Sequence, residues 1–164
     1  MIDASLFKRG MRRLAAGVSV VTTAEQGMPH GFVATSVSSV CAEPVPSLLV
    51  CINRSAASHD VIRRTGIFCA NLLGSQDIDL ARRFSSSQDR SARFDGCDWA
   101  PLVTGAPALL GALASFDCEI SNMVAVHSHS IVVGAVRDMR LWRDEVAPLL
   151  YFDGHYEVLP PNAP

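Results

Sequence analysis

The sequence has little of what marks most familiar chemistries. It has no C-x-x-C pair, and its five cysteines (Cys41, Cys51, Cys69, Cys97 and Cys118) are scattered and odd in number, which argues against both a zinc ribbon and a disulfide frame. Most sit among apolar neighbours and are expected to be buried thiols in a reducing compartment, with the cytoplasm as the expected location. There is no G-x-G-x-x-G and no helix–strand alternation of a doubly wound sheet, so a Rossmann dinucleotide site is not expected. No apolar run is long enough to span a bilayer, and the opening MIDASLFKRGMRRLAAG lacks the apolar centre of a signal peptide. Neither charge sign dominates: 14 Lys and Arg against 16 Asp and Glu leave a net charge of −2, too little to draw the chain to nucleic acid. No Ser/His/Asp or Cys/His constellation marks a nucleophilic enzyme, and no metal site is expected.

Apolar residues are plentiful instead. They make up 49% of the chain against 18% charged, with a mean hydropathy of +0.23. One domain over residues 1–164 can build a full core from this, and part of the remaining apolar surface is expected to be covered by a second copy in a homodimer.

The pattern along the chain predicts mainly strands. The opening segment MIDASLFKRGMRRLAAG reads as an amphipathic helix, with Phe7, Met11 and Leu14 on one face and Lys8, Arg9, Arg12 and Arg13 on the other. A β-branched strand over 17–24 turns through Gln26-Gly27-Met28-Pro29 into a second strand over 31–41. After a proline-punctuated loop, residues 48–52 form a short buried strand. Ser55 is the expected cap of a helix ending at Gly66, with Arg63 and Arg64 in its last turn. A strand over 67–73 follows, then a helix capped by Ser75 with Leu80 and Phe84 on one face, then a polar segment over 85–98 expected to be a mobile loop or lid. Residues 112–126 alternate most clearly, with Ser115, Asp117, Glu119 and Ser121 on an expected wet face. A reversal at His127-Ser128 leads into an apolar strand, and residues 149–159 are expected to form one last strand carrying His155 and Tyr156. Six or seven mostly antiparallel strands with short turns predict a closed or partly closed barrel with two or three flanking helices.

Candidate chemistry concentrates in residues 31–71. Thr35, Ser36, Ser38 and Ser39 put hydroxyls on a strand, and Asn53, Arg54 and Ser55 lead into a short helix carrying Ser58 and His59. Hydroxyls beside a helix N-terminus form a socket for a phosphorylated ligand, because the open amides and the helix dipole both favour an anion.

Seven stretches in order then carry a resemblance: RRLAAGVSVVTT, GFVATSVSSVCAEPVPSLLVCINRSAASHDVI, FCANLL, LARRFSS…RF…W, ALLGALASFDCEI, HSIVVGAV and LLYFDGHY. The chain resembles the short-chain flavin reductase family built on the FMN-binding split barrel. That resemblance implies a mainly β, Greek-key, six-stranded antiparallel split barrel and a homodimer. It implies FMN or FAD as the flavin, NADH or NADPH as co-substrate, and delivery of reduced flavin to a partner monooxygenase. It further implies that Val33, Ala34, Thr35, Ser36, Ser38 and Ser39 line the flavin. Asn53, Arg54, Ser55, Ser58 and His59 would meet its phosphate end, and Arg82, Phe84 and Arg90 would add phosphate or adenine contacts. His129 matches the histidine of a Gly-Asp-His-Thr-like motif near the nicotinamide, although His127-Ser128 replace the usual Gly-Asp. Alternatives within the same barrel are a reductase of another acceptor such as a cobalt corrinoid, a non-catalytic flavin-binding module, and a pyridoxamine-phosphate-oxidase-like enzyme. The last fits least, because the late strands offer few clustered cations.

Overall fold

The computed structural model describes residues 2–88, 90–144 and 146–159. In chain order the elements are α1 (Ala4–Met11), β1 (Ala16–Gly17), β2 (Ser19–Glu25), β3 (Met28–Ala34), β4 (Ser38–Cys41), β5 (Ser47–Asn53), α2 (Ala57–Thr65), β6 (Ile67–Leu72), α3 (Ile78–Ser85), a 3₁₀ turn (Arg90–Phe94), β7 (Trp99–Pro101), β8 (Pro107–Leu109), β9 (Ala114–Val126), β10 (His129–Leu141), β11 (Leu149–Phe152) and β12 (His155–Val158). Seven strands make one antiparallel sheet in the order β3-β2-β6-β9-β10-β5-β4. Small sheets β1-β11-β12 and β7-β8 flank it.

Turn chemistry sets the hairpins. Gln26 and Gly27 both take positive φ between β2 and β3, as a two-residue turn matched to strand twist requires. Asp153 (φ 48°) and Gly154 (φ 89°) do the same between β11 and β12, so the expected single last strand is a hairpin. At the β9–β10 tip only His127, the first of the two turn residues, has positive φ, at 49°. Glycine takes that position without cost, which accounts for the glycine of the family motif; here a histidine bears the strain.

β2, an interior strand of the sheet, is buried on both faces, which is why it reads as a continuous β-branched run. Inside, Val21, Val50, Ile52, Ile62, Phe68 and Val132 form one core; outside, Val18, Val20, Leu73, Ala81, Phe84 and Leu149 form a second beneath α3. Gly134 admits the Phe68 ring, since a β-carbon there would lie 2.6 Å from it. The sheet curls until β3 nears β5. Ser36 bridges the gap: its Oγ donates to the Cys51 carbonyl and accepts from the Cys51 amide, both at 3.1 Å. One side chain thus supplies the rungs that a continuous ladder would have made.

Three further expectations give way. The wet face of β9 is dry in its first half, because the 99–109 segment covers Ser115 and Asp117, both fully buried. Asp117 accepts from Thr104 N at 2.7 Å and from Thr104 Oγ1. The polar 85–98 segment is anchored, with Phe94 packed edge-on against Phe84 (5.0 Å) and Trp99 (6.2 Å). α3 starts after Asp77, not Ser75. Asp77 accepts from the Gly74 amide at 2.7 Å and from Arg143 at 3.1 Å. Of the cysteines, Cys69 and Cys118 are buried, whereas Cys41 is exposed. No helix among the described residues is long and apolar enough to cross a membrane.

Candidate functional site

The hydroxyl-rich segment is not one strand. β3 ends at Ala34 and β4 begins at Ser38, and these two strands occupy opposite ends of the sheet order. Thr35, Ser36 and Val37 cross the seam where the barrel closes. Ala34 points into the inner core, Ser36 is spent on the seam, and Ser38 and Ser39 stand exposed on the outer edge strand.

Val33 and Thr35 face outward into a groove with two connected chambers. The larger, about 600 Å³, is lined by Val33, Thr35, Arg82, Ser85, His155 and Tyr156. The smaller, about 230 Å³, shares Val33 and Ser85 and reaches the start of α2 at Ser58, with Ser87, Arg90 and Arg93 on its far side.

The start of α2 departs from expectation in a way that bears on ligand binding. Ser55 is not its cap: both the Ser55 amide and hydroxyl donate to Asn53 Oδ1, at 2.9 and 2.8 Å. Ala56 takes the cap position and offers no capping side chain, so the amides at the helix start have no side-chain cap, although Asp60 stands in the first turn. Gly66 closes the other end in the left-handed conformation, as expected.

Arg93 is the residue the sequence reading passed over. It is buried, with 9% exposure, and its guanidinium donates to the Gly31 carbonyl at 2.6 Å and to the Ser86 carbonyl at 2.5 Å. Burial, and then the nearby Arg90 charge, lower its proton affinity. It carries positive charge into the wall of the small chamber, and no carboxylate among the described residues pairs with it. The Arg-Phe pair in an otherwise polar segment was the available signal: a buried aromatic brings its neighbour inward. Phe84 lies almost wholly within the outer core and shows the groove only its margin.

On the other side of α2 lies a wider depression of about 1060 Å³, lined by Asn53, Arg54, Ser55, His59, His127 and Ser130 among others. Here the β9–β10 tip is clamped to the β5–α2 junction. The Arg54 amide donates to Ser128 O at 2.9 Å and its guanidinium to His127 O at 3.3 Å. His59, 5% exposed, shares a 2.9 Å hydrogen bond between Nε2 and Ser130 Oγ. Its Nδ1 lies 3.4 Å from Asp60, and that contact, with Arg63 behind it, holds the Asp60 carboxyl below its usual range. His129 pairs with Asn53 in the ladder and is exposed, its Nδ1 engaged by Ser128 Oγ at 2.9 Å. The junction therefore separates the expected residues into two groups. Val33, Thr35, Ser58, Arg82, Phe84 and Arg90 line the first groove, and Asn53, Arg54, Ser55 and His59 line the second depression, with His129 at its hairpin. No cluster of three or more His, Cys, Asp or Glu side chains suited to a metal ion occurs among the described residues.

A family model described as a flavin reductase like domain matches residues 11–160. An FMN reductase (NADH) RutF from Pseudomonas syringae pv. syringae is 40% identical over 158 residues, covering 96% of this chain and 88% of its own. The crystal structure of a homologue of nitrilotriacetate monooxygenase component B from Mycobacterium thermoresistibile superposes with a TM-score of 0.90 at 30% identity, covering 98% of this chain and 89% of that one. The NADH:FAD oxidoreductase SgcE6 of Streptomyces globisporus C-1027, solved in complex with NAD and FAD fragments, gives a TM-score of 0.89 at 28% identity, covering 99% and 96% of the two chains.

Proposed function

The chain belongs to the flavin reductase family, and on that premise we propose that it is an NADH-dependent reductase of FMN or FAD that passes the reduced flavin to a partner oxygenase. The observation that carries this reading is the uncapped start of α2 at one end of a groove whose walls bear Ser58, Ser87, Arg90 and Arg93. Such a chamber suits a phosphate. The helix end and two arginines supply positive charge, and the serines supply donors that an anion can use. The outward face of β3 at Val33 and Thr35, with Tyr156 opposite, offers the adjoining wall for a planar ring.

When bound, the flavin supplies the ring that takes up a hydride from reduced nicotinamide. The chain's own part is to bind and orient. Arg90 and Ser58 hold the phosphate, and Arg82 guards the wider chamber. Arg93 fixes the loop carrying Arg90 against β3 through Gly31. His129 turns Nε2 outward, because Nδ1 is held by Ser128, and so offers one hydrogen bond to a nicotinamide carboxamide. No general acid or nucleophile is required of the protein. The exposed apolar residues of α1, with Phe7 at 57% and Leu6 at 48% exposure, support a homodimer.

Anaerobic mixing of the FMN-loaded protein with NADH should bleach the oxidised-flavin absorbance within the enzyme's turnover time, and NADPH should do so more slowly. Binding of FMN without bleaching by either nucleotide would leave a flavin-binding module and overturn the reductase. Equal rates with both nucleotides would overturn the preference for NADH.

A further inference from the structure

We propose that His59 is a positioning residue for His129: from the buried side of the β9–β10 hairpin it fixes the strand start that presents His129 to the nicotinamide. This rests on the flavin reductase reading. The family resemblance places His59 at the phosphate end of the flavin, but its side chain lines the other cavity. Ser58 lines the small chamber on one side of α2, and His59 lines the wide depression on the other. The helix is a firm base for this, because Val61 and Ile62 are buried and Ile62 belongs to the inner core.

His59 and Ser130 are 5% and 3% exposed, and their 2.9 Å hydrogen bond joins α2 to the start of β10. Each polar group of such a pair depends on the other, since water does not reach in to replace a lost partner. The direction of the bond follows from the other ring nitrogen. His59 Nδ1 is buried, has no hydrogen-bond partner among the described residues, and lies 3.4 Å from Asp60 Oδ1. A carboxylate favours a proton on the nitrogen that faces it. Nδ1 therefore carries the hydrogen, Nε2 accepts, and the Ser130 hydroxyl donates.

Ser130 follows His129 directly, and neighbours in a strand face opposite ways. Ser130 is buried and His129 exposed, so a rotation that carries Ser130 away from His59 swings His129 with it. The hairpin needs this hold. His127, two residues before His129, has a φ of 49°, and a strained turn persists only where its surroundings fix it. Arg54 fixes the turn backbone at His127 O and Ser128 O, and His59 fixes the first inward side chain after it.

A double-mutant cycle on the KM for NADH tests the proposal. His59→Phe fills the space without the acceptor and should raise that KM about fivefold, as His129→Ala should, with kcat and FMN affinity within about twofold. His59→Gln puts its amide oxygen where Nε2 lies and should return the KM to within about twofold of the wild type. His59→Asn is one bond too short and should not. Because His59 acts through His129, the His59→Phe/His129→Ala protein should show only the roughly fivefold rise of either single variant. A multiplied rise of about twenty-five-fold, an unchanged KM in His59→Phe, or no rescue by His59→Gln would overturn the proposal while leaving the reductase intact. If His59→Phe does not fold, Ser130→Ala removes the donor from the other side, and the same cycle with His129→Ala decides the matter. FMN-loaded wild-type protein that NADH does not bleach would instead overturn the reading beneath it.

Discussion

Two polar regions of this molecule look alike in composition and behave in opposite ways. Behind β8, Asn71 is fully buried with every polar atom engaged. Its amide donates to the Val20 carbonyl at 3.1 Å, and its oxygen accepts from Leu109 N at 2.8 Å and Ser115 Oγ at 2.6 Å. Ser115 in turn accepts from Trp142 Nε1 at 2.9 Å. Around the start of α2, an equally polar set leaves a helix end without a side-chain cap and an arginine that has no carboxylate partner among the described residues. Satisfied burial marks a region that holds the fold, and unsatisfied polarity at a cavity marks one that waits for a ligand.

Substitution should separate the two regions cleanly. The largest effect belongs to Asn71→Leu, which strands the Leu109 amide and the Ser115 hydroxyl proton; a loss of about 3 kcal/mol is expected in urea unfolding. A variant of full stability would erase the contrast. At the other region, Arg90→Ala should leave stability within about 0.5 kcal/mol while weakening FMN binding about tenfold in a fluorescence titration. Unchanged FMN affinity would remove that chamber from the site. His129→Ala should raise the KM for NADH about fivefold, the scale of one hydrogen bond, with FMN affinity unmoved. An unchanged KM would remove His129 from the nicotinamide pocket.

The smallest effect is the pH dependence of Asp117. Burial raises its carboxyl above the usual range despite the two bonds from Thr104. A folded-state value above the unfolded one means that the native protein holds this proton more tightly. The resulting stability is complete below about pH 4, the unfolded value, and is lost as pH rises through the folded value. Asp117→Asn should flatten that decline in thermal melts run from pH 4 to 7. An identical profile in the variant would show that the carboxyl carries none of it.

Much of this was legible in the sequence because local signals agreed with the final structure. The Gln26-Gly27 turn, the Gly66 stop, the alternation in β9 and the apolar β5 each point to one element, and together they call for an antiparallel barrel. What escaped depends on distant partners. Alternation marked Ser115 and Asp117 as one face of β9 but could not show that residues 99–109 would cover it. The Asp153-Gly154 pair was a readable turn signal, overlooked because the flanking strands are only four residues long. Ser55 fitted the residue preference for a cap, yet Asn53 two positions earlier competed for its hydroxyl and won. The hydroxyl ribbon was seen as a unit because sequence shows adjacency, whereas the fold splits it between opposite sheet edges.

That split has a mechanical corollary. Among the described residues, Ser36 supplies the side-chain hydrogen bonds that stitch the barrel wall between Thr35 on one side and β4 on the other, next to its proposed cargo bay. Phe32 and Val37 pack into the inner core on either side of that stitch, so the clasp is polar at its centre and apolar at its margins.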